Sequence, residues 1–275
     1  MLIDTHVHIG RCWAHQPAMT VDGMLRWMDE HAVDRAVVLP LESPEASSFL
    51  IPTDTVLQIA SRHPDRFIPF AVIDPRAAMR ERDLRPVLEE YIASGARGFG
   101  EHKVGLPIDD PRSQTLYGIA GDLGLPVLLH MDGERNTDTV GLPGLERTLR
   151  KFPGTTFIGH APAWWSSISG DCTFADLNGY PSGPVTPGGA VDRLLGEYAN
   201  MWADLSAGSG AQAISRDLAY GEAFLERHHE KLLFATDYLF PGQEVPQFEL
   251  MERVRLSDAA REAITHGNAE RLLRI

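Results

Sequence analysis

Short runs of apolar and β-branched residues alternate along this chain with longer stretches in which apolar positions recur every three or four residues. The short runs predict eight strands, at 2–8, 35–39, 67–73, 96–101, 126–130, 155–160, 201–205 and 232–236. The longer stretches predict helices at 21–32, 54–62, 84–94, 113–123, 142–151, 190–198 and 216–228, with two more at 245–253 and 257–264 after the eighth strand. Gly95 before the fourth strand, and Gly124-Leu125-Pro126 leading into the fifth, mark helix ends and strand starts. Strict strand–helix alternation argues for an α/β fold, a single (β/α)8 TIM barrel of parallel strands. An open doubly wound sheet would show the same alternation, so the pattern favours the barrel without excluding the sheet.

Length agrees with that reading, since 275 residues suit one barrel domain spanning 1–275. One connection breaks the pattern. Residues 161–189 are rich in Gly, Pro, Ser and aromatics and carry no helical period. A βα loop of that length inside a compact domain is usually functional, and Trp164, Trp165 and Tyr180 argue against disorder. It is expected to fold over the barrel mouth. The net charge of −13, with no dense Lys/Arg run, speaks against a nucleic-acid partner. No apolar run approaches the ~18 residues of a membrane span. The first strand-like run begins at Met1, which leaves no room for a signal peptide, so a cytoplasmic protein is expected. Cys12 and Cys172 form no disulfide framework and are expected to be reduced.

The residues at the strand ends carry the chemistry. In Ile3-Asp4-Thr5-His6-Val7-His8, His6 and His8 lie two apart and would share a face of the first strand, at the C-terminal end where such barrels place their active sites. Neutral imidazoles converging there suit a divalent metal. Glu101 closes the fourth strand, His130 the fifth and His160 the sixth, and Asp237 follows the eighth. Each comes after an apolar run that should be buried, where a charged group needs a partner or a metal. A lone His-x-His is as consistent with two solvated histidines. Metal-type side chains at five strand ends are much harder to assign to chance.

These segments resemble a known family. His6-Val7-His8, Pro126-Val127-Leu128-Leu129-His130, Ile158-Gly159-His160, Phe234-Ala235-Thr236-Asp237-Tyr238 and the terminal Gly267-Asn268-Ala269-Glu270-Arg271-Leu272-Leu273 are similar to the amidohydrolase superfamily, nearest its amidohydrolase-2 branch of metal-dependent hydrolases, lactonases and non-oxidative decarboxylases. The likeness runs from about Leu2 to Leu273. It implies that His6, His8, His130 and Asp237 hold one metal, with His160 acting in catalysis, as in the decarboxylases. Gly98-Phe99-Gly100-Glu101 departs from that pattern and looks more like the TatD-like hydrolases, in which a strand-four glutamate bridges two metals. There, His6, His8, Glu101 and Asp237 would hold one ion, and Glu101, His130 and His160 the second. One ion and two ions both remain open, with Zn²⁺ the first expectation and Mn²⁺ the next.

Other residues take roles from their positions. Lys103 shares strand parity with Glu101 and is expected either to orient a substrate anion or to pair with Glu101. Arg11 sits on a catalytic-face loop, where it would bind a carboxylate or remain a surface arginine. Trp164 and Trp165 would pack the long loop over the site or, in the sharper reading, stack on substrate. His102 has opposite parity and reads as packed or surface. Asp4 reads as an acceptor orienting a histidine or as a buried, hydrogen-bonded carboxylate. His228-His229 reads as a solvated helix end. The expected reaction is hydrolysis of an amide, lactone or other ester in a small molecule, with Asp237 carrying the proton and His160 holding metal or stabilising an oxyanion. The alternative is metal-dependent decarboxylation of an aromatic or enol acid. A barrel that binds ligand without turnover is the third class. A homodimer is a common arrangement for such enzymes.

Overall fold

The computed structural model describes residues 1–77 and 80–275. Strands β1 (Ile3–Val7), β2 (Arg35–Val38), β3 (Phe67–Pro69), β4 (Phe99–His102), β5 (Val127–His130), β6 (Phe157–His160), β7 (Met201–Asp204) and β8 (Leu232–Leu233) alternate with helices. The helices are α1 (Val21–Glu30), α2 (Thr53–Arg62), α3 (Glu81–Ala93), α4 (Pro111–Asp122), α5 (Pro143–Lys151), α6 (Pro162–Ser166), α7 (Ala190–Glu197), α8 (Ala207–Ser215), α9 (Leu218–His228), α10 (Gln247–Arg253), α11 (Asp258–Glu262) and α12 (Asn268–Leu273). Among the described residues no helix is long and apolar enough to cross a membrane.

The strands pair in parallel, β1 to β3 in one sheet and β4 to β8 in another. The two sheets join at both seams. Ala71 bridges to Phe99 and Val7 bridges to Tyr238, both in parallel. Backbone bonds reinforce these seams, including Gly100 N to Ala71 O at 2.8 Å and Asp237 N to His6 O at 2.8 Å. The ring of eight strands is therefore a TIM barrel, as the alternation predicts. Its interior is filled by an apolar layer that includes Ile3, Val37, Ile68, Phe70, Leu128, Ile158 and Leu233, closed from below by Ala269 and Leu273 of α12. The larger apolar cluster lies between the strands and the helices and includes Phe99, Leu129, Phe157, Trp164 and Leu194.

Register irregularities fall in two ligand-bearing strands. In β1 the pairing shifts between Asp4 and Val7, and in β4 between Phe99 and His102. Such bulges re-aim side chains. Ile3 lies in the inner layer, whereas Val7, four positions on, packs among Met24 and Trp27 on the helix side. Simple alternation counted from Ile3 would thus misplace the histidines. Gly100 precedes Glu101 because its backbone has φ +150° and a Cβ there would lie 2.9 Å from the Leu128 Cβ.

The helix pattern is denser than expected. The segment 161–189, expected to lack helix, contains α6 and a 3-10 turn at Phe174–Asn178. Helix α8 was hidden by its composition, Ala207-Gly208-Ser209-Gly210-Ala211, which reads as a loop. The small residues are required there, since a Cβ on Gly210 would lie 2.6 Å from the Leu205 carbonyl oxygen. Strand β8 is shorter than its apolar run, because only Leu232 and Leu233 continue the ladder from β7.

Candidate metal centre

Seven acidic or imidazole side chains converge at the C-terminal end of the barrel. His6 and His8 leave β1, Glu101 leaves β4, His130 ends β5, His160 ends β6, Asp204 ends β7 and Asp237 follows β8. All but Asp237 are buried, and the Asp237 side chain keeps 19 % of its surface exposed. His8 Nε2 lies 3.4 Å from Glu101 Oε2 and 3.6 Å from Asp237 Oδ1. His6 Nε2 lies 4.0 Å from the same glutamate oxygen and 3.6 Å from the same aspartate oxygen. On the other side of Glu101, Oε1 lies 2.5 Å from His130 Nδ1 and 3.7 Å from His160 Nε2.

Three overlapping ligand groups result, one of them His6, His160 and Asp237. His6, His8 and Glu101 form another, with Asp237 alongside, and Glu101, His130 and His160 form the third. Two buried polar atoms facing this space, His6 Nε2 and Glu101 Oε2, have no hydrogen-bond partner among the described residues. An unpaired buried acceptor is costly, and a cation between these lone pairs satisfies both. The donor set of imidazole nitrogens and carboxylate oxygens suits Zn²⁺ or Mn²⁺. The residues present thus fit a divalent metal.

Electrostatics agree with a site prepared for positive charge. Burial opposes ionisation of Glu101, yet Lys103 and His130 beside it hold its carboxyl well below the usual carboxylate range. Burial lowers the His130 imidazole, which favours the neutral, ligating form. Burial also works against charge on His160, but the Asp204 carboxylate outweighs it and lifts the imidazole to about 9. Asp204 is held below the ordinary range because His160 and His6 overcome its own burial.

Each histidine is held from behind. His8 Nδ1 bonds the Leu39 carbonyl at 2.9 Å. His130 Nε2 meets Asp132 at 3.0 Å, and Asp132 accepts from Arg135 at 2.6 Å. His6 and His160 both turn Nδ1 toward Asp204. Asp204, Asp132 and Ser206 were not singled out in the sequence. Asp204 carried a readable pattern, since Met201-Trp202-Ala203 is an apolar run closed by an acid, as in strand eight. Placing that strand's end at Leu205 hid it inside the run. Asp132 and Ser206 lie just past strand ends, where nothing local distinguishes them from loop residues.

A cavity of about 210 Å³ opens over the cluster, bordered by His130, His160 and Asp237 and on its outer side by Trp13, Lys103 and Tyr180. Lys103 Nζ reaches Glu101 Oε1 at 3.7 Å and lies 5.9 Å from the Trp13 ring centre, so it borders both the cluster and the cavity. A larger open groove of about 990 Å³ lies among Arg85, Gln114, Lys151 and Phe152 on the outer helices, with no histidine in its walls.

Three candidates for substrate contact lie elsewhere. Arg11 is exposed, donates to the Ala14 carbonyl at 2.9 Å and covers the Phe49 ring at 4.4 Å, outside the cavity wall. Trp164 and Trp165 are fully buried beneath the mouth, and Trp165 Nε1 donates to the Asp204 carbonyl at 3.1 Å. They pack the long loop and do not line the cavity. The loop instead presents Ala161, Pro162 and Tyr180 to it. Its Asn178 side chain accepts from Gly133 N at 2.6 Å, tying it to the loop after β5.

His102 is buried on the helix side, with Nε2 3.2 Å from Ser113 Oγ. Asp4 does not touch a histidine ring. It accepts from Thr236 N and Oγ1 and from His6 N, pinning β1 to the end of β8. His228 is not the solvated residue its helix-end position suggests, being buried with Nε2 2.5 Å from Asp192.

Comparison with known proteins completes the picture. No curated protein matches the chain. Among solved structures it is similar to an uncharacterized TIM-barrel protein from Bordetella bronchiseptica, with TM-score 0.70 and 17% identity, covering 99% of this chain and 98% of that one. It is also similar to a putative 2-pyrone-4,6-dicarboxylic acid hydrolase from Pseudomonas putida, with TM-score 0.66, 19% identity and coverage of 99% and 97%. A 2,6-dihydroxybenzoate decarboxylase from Rhizobium gives TM-score 0.61, 18% identity and coverage of 99% and 98%. At such identities the likenesses establish the fold. The family follows from the amidohydrolase (amidohydrolase-2) model, which matches residues 3–275, nearly the whole chain. This chain belongs to the amidohydrolase family.

Proposed function

We propose that the protein is a metal-dependent hydrolase that cleaves a lactone, other ester or amide bond in a small molecule. The observation that carries this reading is the pair of buried, partnerless lone-pair atoms, His6 Nε2 and Glu101 Oε2, set among imidazole and carboxylate groups. His6, His8, Glu101 and Asp237 would hold one divalent ion, and Glu101, His130 and His160 a second. When bound, such an ion lowers the pKa of water and polarises the oxygen of a scissile carbonyl.

The chain's own groups supply the rest. Asp237 is the only partly exposed carboxylate of the cluster and borders the cavity, so it takes the proton of the attacking water and returns it to the leaving group. His160, where it holds no ion, keeps a proton beside Asp204 and stabilises negative charge on the substrate oxygen. Lys103 attracts an anionic group of the substrate toward the cavity's outer wall. A cavity of about 210 Å³ supports a small substrate over a macromolecular one.

The proton held on His160 also favours a second reading, since an imidazolium at the cavity wall can protonate the carbon from which CO₂ departs. Isotope tracing separates the two. Turnover in ¹⁸O-labelled water is expected to place solvent oxygen in a product carboxyl group. Stoichiometric CO₂ with no solvent oxygen in the organic product overturns the hydrolase reading and leaves the metal site standing.

A further inference from the structure

The candidate ligands do not stand alone, and the way they are held is uneven. His8 leans on a backbone carbonyl, that of Leu39, at 2.9 Å. His130 has its own carboxylate, Asp132, at 3.0 Å. The remaining two imidazoles share one group. Asp204 Oδ2 lies 2.8 Å from His6 Nδ1, and Asp204 Oδ1 lies 3.1 Å from His160 Nδ1. The two rings stand 4.4 Å apart, centre to centre. Ser206 completes the arrangement, its Oγ 2.7 Å from both Asp204 Oδ1 and His160 Nδ1.

We propose that Asp204 is a positioning residue that sets the tautomer and ring orientation of two ligand histidines at once, His6 from β1 and His160 from β6. The argument is one of donors and acceptors. An ionised carboxylate only accepts, so each Nδ1 facing it must carry the hydrogen. In the neutral ring each Nε2 then presents its lone pair to the opposite side, toward Glu101 and Asp237. One carboxylate serving both makes the ligand groups depend on a single side chain. Asp204 is fully buried, and its backbone carbonyl is itself held by Trp165 Nε1 at 3.1 Å, so its own placement is fixed by the packed start of the long loop. The shared clamp also gives Trp165 a role in place of substrate stacking, which is to hold the strand end that carries the carboxylate. The inference rests on the metal-dependent reading for its consequence, and on hydrogen-bond geometry alone for the tautomers.

The test uses the full-length protein labelled with ¹⁵N-histidine. In the metal-free wild type, long-range ¹H–¹⁵N spectra recorded with both rings neutral are expected to show hydrogen on Nδ1 and none on Nε2 for His6 and His160 alike. In Asp204→Asn one of the two acceptor oxygens becomes an NH₂ that only donates, so at most one ring can still donate its Nδ1–H to that side chain. Zn²⁺ affinity, read by competition with a chelator, is expected to fall roughly tenfold or more. Of the four ligand histidines Asp132 bonds His130 alone, so Asp132→Asn is expected to leave the His6 and His160 spectra as in the wild type. An unprotonated Nδ1 on either ring of the wild type overturns the proposal, and this outcome needs no variant to fold. Wild-type spectra and Zn²⁺ affinity in Asp204→Asn overturn it as well. If the wild type takes up no Zn²⁺, the metal-dependent reading falls, while the spectra still decide the role of Asp204.

Discussion

Glu101 shows how much a single residue decides in this site. Its two oxygens face different histidines, Oε2 toward His6 and His8 and Oε1 toward His130 and His160. Glu101→Gln removes the charge and one lone-pair set at nearly constant volume, so the number of Zn²⁺ ions bound per chain, or their affinity, should fall. Elemental analysis and chelator competition check this, and wild-type values for both would return Glu101 to a simple pairing with Lys103. Asp237→Asn retains an oxygen but cannot accept a proton, so turnover should drop on the order of 10²-fold or more with the fold intact. His102 gives a stability prediction that is independent of catalysis. Burial lowers its imidazole from 6.5 to about 3 in the folded state. Between those values the unfolded chain binds the extra proton, so stability rises with pH and is lost as pH falls below about 6.5. From there to about pH 5 the loss should approach about 2 kcal/mol, and His102→Asn should remove that part of the slope in urea titrations. An unchanged slope in the variant would show that His102 binds its proton alike in the folded and unfolded chain.

At the scale of elements, the connection between β6 and α7 does most to shape the site. It places Ala161, Pro162 and Tyr180 at the cavity, and buries Trp164 and Trp165 under the mouth. These are separate tasks and predict separate losses. Trp164→Ala empties a fully buried site and should cost about 3–5 kcal/mol in denaturant unfolding. Tyr180→Ala removes a largely exposed ring and should leave stability nearly unchanged while raising KM for the true substrate. Equal kinetics in Tyr180→Ala and wild type would remove the loop from the substrate pocket. The element's place was legible in the sequence from its length, its aromatics and the histidine before it. Its internal α6 was not, because five residues carry less than two helical turns of periodicity. Helix α8 escaped for a different reason, since its small residues answer to the closeness of the Leu205 carbonyl and not to a helical stripe.

For the whole molecule, the ring of strands brings residues from position 6 to position 237 into one cluster, so metal binding should be felt as global stability. Zn²⁺ in excess by about a hundredfold over its Kd should raise the unfolding free energy by about 2.7 kcal/mol, and a chelator should reverse the gain. Superimposable melting curves with and without metal would argue against binding to the folded barrel. The sequence alone determined the alternation of strands and helices, because burial of one face imposes a period that local residues must obey; that the strands close into a barrel instead of an open sheet was decided by the seams at Ala71–Phe99 and Val7–Tyr238. It also determined the acid and imidazole groups at the strand ends, because a charged side chain after an apolar run stands out without any neighbour. The tertiary structure decided what each of them faces. The shifts of register in β1 and β4 turn His6, His8 and Glu101 inward, and they arise from pairing with β2 and β5, which no local pattern encodes. Asp204 became the shared support of His6 and His160 only when strands one, six and seven closed around it, since a hydrogen bond spanning 198 positions is a property of the closed ring. Trp164 and Trp165 went to the core for the same reason: the sequence shows that they are large and apolar, and only packing chooses between a buried wall and an open cavity.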